Sequence, residues 1–187
     1  MSFLRQALAA VRLLVVMTVL LGVGYPAVVA LAAQAFPTQA NGSLVTLDGR
    51  VAGSSLLGQA FDGPEWFQGR PSASDYSGET SGGSNLSPVS SAQTDAMAER
   101  EADLRAANPD AVGPAPADAL TASASGLDPH ISVAYALWQV PRVAKARNVD
   151  PSVLQGLIAA STERAGLGYL GQDGVNVTRL NLALAQR

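Results

Sequence analysis

The chain has 187 residues, no cysteine and a single histidine, His130. Disulfides, thiolate metal sites and cysteine nucleophiles are therefore excluded; a histidine metal cluster cannot form within one chain, and a Ser-His-Asp triad would have to use His130. Charged residues are 14% of the total and the isoelectric point is near 5.0, so no basic footprint for nucleic acid is present.

The charges are unevenly placed. Arg5 and Arg12 are the only ones before Asp48, and beyond them ten basic residues face fifteen acidic ones, a net −5. A basic start, a long uncharged stretch and an acidic remainder describe a membrane-anchored extracytoplasmic protein. The uncharged stretch, residues 13–33, reads LLVVMTVLLGVGYPAVVALAA, with eleven Leu or Val among 21 residues. At helical rise it spans about 31 Å, enough for the roughly 30 Å hydrocarbon core. Its Leu and Val residues favour insertion by roughly 3–7 kcal/mol in gross terms. Ala33-Gln34-Ala35 resembles a signal-peptidase site, but the apolar run exceeds the length of a signal h-region, which favours a retained anchor. Arg5 and Arg12 place the N-terminus in the cytoplasm by the positive-inside rule. The expected division is a cytoplasmic N-terminus at 1–12, a transmembrane helix at 13–33 and an extracytoplasmic domain at 36–187. Pro26 is expected to kink the helix. Gly22 and Gly24 offer a small-residue surface for another helix, and both are candidate partner contacts.

Beyond the span, residues 41–47 (NGSLVTL) read as a turn and short strand, and residues 51–61 as a second strand or strand and loop. Composition then shifts: fourteen of the 23 residues from 69 to 91 are Gly, Pro or Ser. So long a stretch without regular structure is functional or disordered, and it is expected to dock on a partner or on its own domain. Thr94–Ala107 has helix formers throughout, early acids, Arg105 near its end and Asn108-Pro109 as a stop. A Pro/Ala linker covers 109–119. Ser132 is placed to cap a helix from Val133 to about Arg147, interrupted by Pro141. Val133, Leu137, Val140 and Ala144 are expected on its buried side, with Trp138 flanking. Asp150-Pro151 starts the next helix, through Val153, Leu154, Leu157 and Ile158. After a break at 166–174, the final VNVTRLNLALAQR reads as a short strand turning into a helix. The fold class is α+β: one N-terminal transmembrane helix, then a single domain of three to four helices and a few short strands.

Few constellations could carry chemistry. Ser123, Ser125, Asp128 and His130 bring serine, acid and imidazole together, the basis of an alternative reading as a membrane-tethered serine hydrolase. No G-x-S-x-G elbow is present, and groups so close along one loop rarely converge as a triad. Ser81-Gly82-Gly83-Ser84-Asn85 could cradle an anion with backbone N–H groups, but it lacks the lysine and preceding strand of a P-loop. Arg142, Lys145 and Arg147 form a basic cluster, suited to an acidic partner, to lipid headgroups or to a solvated helix face. No catalytic, cofactor or metal site is assigned.

Several ordered motifs resemble one family. Gly24-Tyr25-Pro26 and Gln39 to Leu44 are followed by Gly69-Arg70-Pro71-Ser72-Ala73 and Ser81-Gly82-Gly83-Ser84-Asn85-Leu86. Next come Leu104 to Pro109, Thr121 to Ser132, Gln139 to Asn148, Val175-Asn176-Val177 and Leu180 to Leu184. From about residue 20 to 184 the chain is similar to KdpC, the C subunit of the Kdp potassium-transporting P-type ATPases. The resemblance implies an accessory subunit of the bacterial inner membrane with no chemistry of its own. Its implied partners are a potassium-channel-like subunit, an ATP-hydrolysing P-type subunit, a small single-helix stabilising peptide and the lipid bilayer. ATP, Mg²⁺ and K⁺ would belong to the partners, and this chain would act as a catalytic chaperone raising the ATPase subunit's affinity for nucleotide. Candidate partner contacts are then Gly22, Gly24, Arg70, Ser81, Gly82, Gly83, Ser84, Asn85, Arg142 and Lys145. The Ala- and Glu-rich helix at 94–107 is more polar than the family leads one to expect.

Overall fold

The computed structural model describes residues 3–47 and 49–186; the expected N-terminal segment at 1–12 and domain end at 187 therefore reach beyond the described residues. The chain divides between Leu44 and Val45 into two units.

The first unit is dominated by one continuous helical rod, Phe3–Ala33, of mean hydropathy 2.3 and with none of its most apolar window buried. It is long and apolar enough to cross a membrane. Its middle departs from α geometry: α1 (Phe3–Val19) gives way to a π-helical turn over Leu20–Gly24 before α2 (Tyr25–Ala33). The cause lies at Pro26, which has no N–H for the carbonyl of Gly22 and whose ring would crowd it. The ladder widens one step earlier, and the Tyr25 N–H reaches back five residues to the Leu20 carbonyl. The expected proline disturbance therefore takes the form of a π turn. A single turn, α3 (Pro37–Ala40), follows.

From Val45 on, the second unit takes in all but the first residue of a two-stranded sheet of β1 (Leu44–Leu47) and β2 (Arg50–Ser54). Residues 55–90 contain no helix or strand. Then come α4 (Ser91–Ala107), α5 (Ala117–Leu120), β3 (His130–Ile131), α6 (Val133–Arg147), α7 (Pro151–Ala160), β4 (Thr162–Glu163), β5 (Gly174–Asn176) and α8 (Val177–Ala185). The mixed α+β class and the single apolar helix ahead of the domain are as the sequence leads one to expect. The three-stranded sheet has the order β3-β5-β4, antiparallel throughout, with His130 opposite Asn176 and Glu163 opposite Gly174.

Among the described residues of the second unit, side-chain caps start four of the five helices. Ser90 Oγ accepts the Gln93 N–H, so α4 begins three residues before the expected Thr94. Ser132 Oγ accepts from Tyr135 N and donates to Asp118, whose other oxygen takes the Ser132 N–H at 2.7 Å. That double grip also explains α5, unforeseen in the 109–119 linker, which carries Asp118 to the start of α6. Asp150 with Pro151 starts α7, and Asn176 Oδ1 caps α8 through the Arg179 N–H.

The core is built by Phe67, Ile131, Tyr135, Ala136, Val143, Leu154, Ile158, Val175, Leu180 and Leu184. α6 is turned differently from its apolar pattern. Leu137 is exposed and Val133 only half-buried, while Gln139 and Arg142 are inside. The reason is hydrogen bonding. Gln139 takes the N–H of Gln68 and donates to its carbonyl, at 2.8 and 3.1 Å. Arg142 Nη1 reaches the carbonyls of Pro64 and Trp66 at 2.7 and 3.0 Å, and its Nε donates to Asn108. The turn at 63–66 and the segment after it have no strand partner of their own, so these side chains satisfy their backbone groups.

Candidate functional site

The Gly/Ser-rich segment is the most distinctive surface of the second unit, and its geometry begins from the gripped residues 63–68. Emerging from them, Arg70 directs Nη1 to Asp128 Oδ2 at 3.3 Å and Nη2 to the carbonyl and hydroxyl of Thr121. Ser72 Oγ donates to the Gly126 carbonyl at 2.7 Å and accepts the N–H groups of Ser74 and Tyr76. Asp75 and Tyr76 adopt left-handed φ of 50° and 56°, which folds the chain back so that the Tyr76 hydroxyl donates to the Arg70 carbonyl. Burial pushes the Tyr76 phenol up to about 12, so it stays a donor.

The loop docks on its own domain. Ser123 N–H donates to the Pro71 carbonyl at 2.8 Å, and Gly82 N–H and Ser81 Oγ both reach the Ser125 carbonyl at 2.9 Å. Gly126 makes the contact possible. Its φ is +69°, and a Cβ there would come within 2.7 Å of the Gly82 carbonyl and 2.3 Å of Ser74 Oγ.

A line of charges continues from Arg70. Asp128 Oδ1 accepts the His130 N–H at 2.9 Å and stands 3.7 Å from His130 Nδ1, an ion-pair separation too long for a hydrogen bond. His130 Nε2 lies 3.1 Å from Glu163 Oε2, and Arg179 Nη1 binds the other Glu163 oxygen at 3.0 Å. His130 and Glu163 meet across β5 because Gly174, opposite Glu163, presents no side chain; a Cβ there would stand 3.2 Å from the His130 Cβ. The facing Asp128 carboxylate is the main reason the imidazole titrates above its ordinary value; part-burial opposes the rise, and Glu163 adds to it. Asp128 is held below the usual carboxylate range, first by His130, with burial opposing and Arg70 assisting.

The candidate contacts fall into distinct settings. Arg70, Ser81, Gly82 and Gly83 form the seam between loop and domain, with Gly83 against Ala124. Ser84 and Asn85 are exposed, Asn85 with a left-handed φ of 53°. Gly22 and Gly24 lie in the π turn, where a Cβ on Gly22 would meet nothing of its own chain within 4 Å. The basic cluster separates. Arg142 is 7% exposed and engaged by backbone, which corrects its reading as a solvated or headgroup-facing residue. Arg147 stacks 4.2 Å over Trp66 and donates to the Glu65 carbonyl. Lys145, pairing with Asp110 at 2.9 Å, is the exposed member.

The groups of the hydrolase alternative are spread apart in role. Ser123 is buried, its Oγ accepting the Gly126 N–H, and Ser125 Oγ accepts the Leu127 N–H. The side-chain partners of the His130 ring are Asp128 and Glu163. The sequence reading missed Glu163 and Arg179 altogether; they lie 33 and 49 positions beyond His130, with no local spacing to join them.

Comparison with known proteins decides the family. The family model described as "K+-transporting ATPase, c chain" (KdpC) matches residues 7–186. The chain belongs to the KdpC family. It is 51% identical over 188 residues to a potassium-transporting ATPase KdpC subunit of Sorangium cellulosum (strain So ce56), covering 98% of this chain and 97% of that one. A KdpC subunit of Burkholderia orbicola (strain MC0-3) is 51% identical over 178 residues, covering 93% and 92%. One of Rhodopseudomonas palustris (strain TIE-1) is 47% identical over 196 residues, covering 97% and 96%. Membership of the KdpC family makes the chain a subunit of a potassium-transporting ATPase complex, and its single N-terminal apolar helix fits a single-pass membrane protein.

Proposed function

We propose that this chain is a non-catalytic accessory subunit of an ATP-driven potassium uptake complex of the bacterial inner membrane. It is anchored by the helix at 13–33, with its N-terminus in the cytoplasm and its domain outside. It assembles with a channel-like subunit, an ATP-hydrolysing P-type subunit and a small single-helix peptide, stabilises their complex and raises the ATPase subunit's affinity for ATP. ATP, Mg²⁺ and K⁺ are handled by those partners.

The observation carrying this reading is how the fold uses its polar groups. Ser123, Ser125, Arg142 and Gln139 accept or donate hydrogen bonds within the domain, and the Gly/Ser segment is pinned into a surface with Ser84 and Asn85 exposed. Such a surface suits docking better than turnover. The nucleotide effect is indirect on this reading, since the proposed topology puts the domain and the ATP site on opposite sides of the membrane.

Purification in mild detergent from cells that make the whole complex tests assembly: the chain should co-purify with two large membrane partners, and its recovery free of them from those cells would overturn the reading. The chaperone role is tested separately. Omitting this chain should raise the nucleotide concentration at which the remaining complex is half-saturated, and unchanged saturation would remove that role while leaving assembly intact.

A further inference from the structure

His130 is the only histidine in the sequence, and both of its ring nitrogens face carboxylates: Nδ1 faces Asp128 at 3.7 Å and Nε2 faces Glu163 at 3.1 Å. A neutral imidazole carries one N–H and one lone pair, so it can serve only one of the two acids while its lone pair opposes the other. A protonated ring serves both. Each acid also holds an arginine, Asp128 through Arg70 and Glu163 through Arg179. With the imidazolium in place, charge alternates strictly along Arg70, Asp128, His130, Glu163 and Arg179. These groups come from five parts of the domain: the Gly/Ser loop, the segment before β3, β3, β4 and α8. β5, packed beneath the ring, contributes Gly174 and no charge.

We propose that His130 is a proton-operated latch that fastens the Gly/Ser loop and the segment at 121–129 to β4 and α8, closed with the imidazolium and released with the neutral ring. The lever for release is the Arg70–Asp128 pair, because Asp128 is both the loop's ionic anchor and one of the two acids the ring must satisfy. The β3-β5-β4 ladder is only two or three residues long on each strand, so little backbone pairing resists opening at this edge. The latch lies within this chain and does not depend on the accessory-subunit reading.

The test uses the full-length chain in detergent micelles, purified on a tag without histidine and labelled with ¹³C and ¹⁵N in the imidazole, so that one ring gives the whole signal. Its titration midpoint should lie above the ordinary 6.5 and shift down towards it in Glu163→Gln. Amide exchange, corrected for its intrinsic pH dependence, should become several-fold faster across 69–86 and at Thr162–Glu163 as pH rises through that midpoint. Glu163→Gln changes a half-exposed surface residue and should lose the step; His130→Gln should exchange at the fast rate throughout. An ordinary or lowered midpoint, or corrected exchange that ignores it, would overturn the latch.

Discussion

Asn181 on α8 and Phe67, 114 residues earlier, exchange two hydrogen bonds as two paired strands would: the Phe67 N–H donates to Oδ1 at 3.0 Å and Nδ2 donates to the Phe67 carbonyl at 2.8 Å. Gln139 repeats the arrangement on the next residue, Gln68. Two side-chain amides thus replace a missing strand beneath the segment that leads into the Gly/Ser loop. Both are almost fully buried, so truncating either strands a backbone N–H and a carbonyl away from water. Asn181→Ala should therefore lower unfolding stability by roughly 2–4 kcal/mol, read by urea unfolding of the full chain followed by tryptophan fluorescence. A loss below the error of that measurement would mean that Phe67 finds other partners.

Arg142 and Lys145, one turn apart on α6, should behave oppositely. Arg142 joins Pro64, Trp66, Asn108 and Gln139, so Arg142→Met should destabilise by about 3 kcal/mol. Lys145 has a side chain 75% exposed and makes one surface ion pair, so Lys145→Ala should leave the unfolding midpoint unmoved. If Lys145 meets a partner, the same change should instead weaken co-purification of the complex.

Glycine placement separates loop docking from global stability. Gly126→Ala must put a methyl group on a left-handed residue against the Gly82 carbonyl, a change of about 1–3 kcal/mol. Amide exchange should rise across 69–86 while the α6–α8 core stays protected. A Cβ on Gly78 would meet nothing within 4 Å, so Gly78→Ala is the silent control.

Domain stability should pass through a maximum with pH. The folded imidazole titrates above its unfolded value, so its contribution is full below about 6.5 and is lost as pH rises through the folded value. Asp128 titrates below its ordinary 3.8, so its contribution is full above that value and disappears as pH falls through the folded one. Between the two limits both act. Unfolding midpoints recorded across the range should fall on both flanks, and the alkaline decline should be absent in His130→Gln.

In the membrane helix, Pro26→Ala restores an N–H that can bond the Gly22 carbonyl, and the π turn should revert to α geometry. Isotope-edited infrared spectroscopy of a ¹³C-labelled Gly22 carbonyl in detergent should show a shift to lower frequency as that bond forms. An unshifted band would mean that the π turn does not arise from the proline.

Much of the architecture was legible locally. The 21-residue uncharged run, the caps at Ser132 and Asp150-Pro151, and the break before Val175 depend on neighbours in sequence, where helix initiation and membrane partition are decided. The Gly/Ser loop was visible as a change in composition, and its seam with residues 121–128 fulfils the expectation that it docks. The buried side of α6 was not legible. Apolar periodicity ranks residues by transfer free energy, which places Leu137 inside and Arg142 outside, yet the reverse holds. Arg142 and Gln139 are inside because unpaired carbonyls and N–H groups more than 70 positions away need them. His130 stood out as the lone histidine, but its acids are set by the register of β5 between β3 and β4 and by the empty space at Gly174. The sequence by itself determined which stretch is apolar and long enough to cross a membrane, where α6 and α7 begin and which family the chain resembles. The tertiary structure alone decided which polar groups are buried and which charges meet, because hydrogen bonds and ion pairs depend on distance in space, and that is settled only when remote segments pack together.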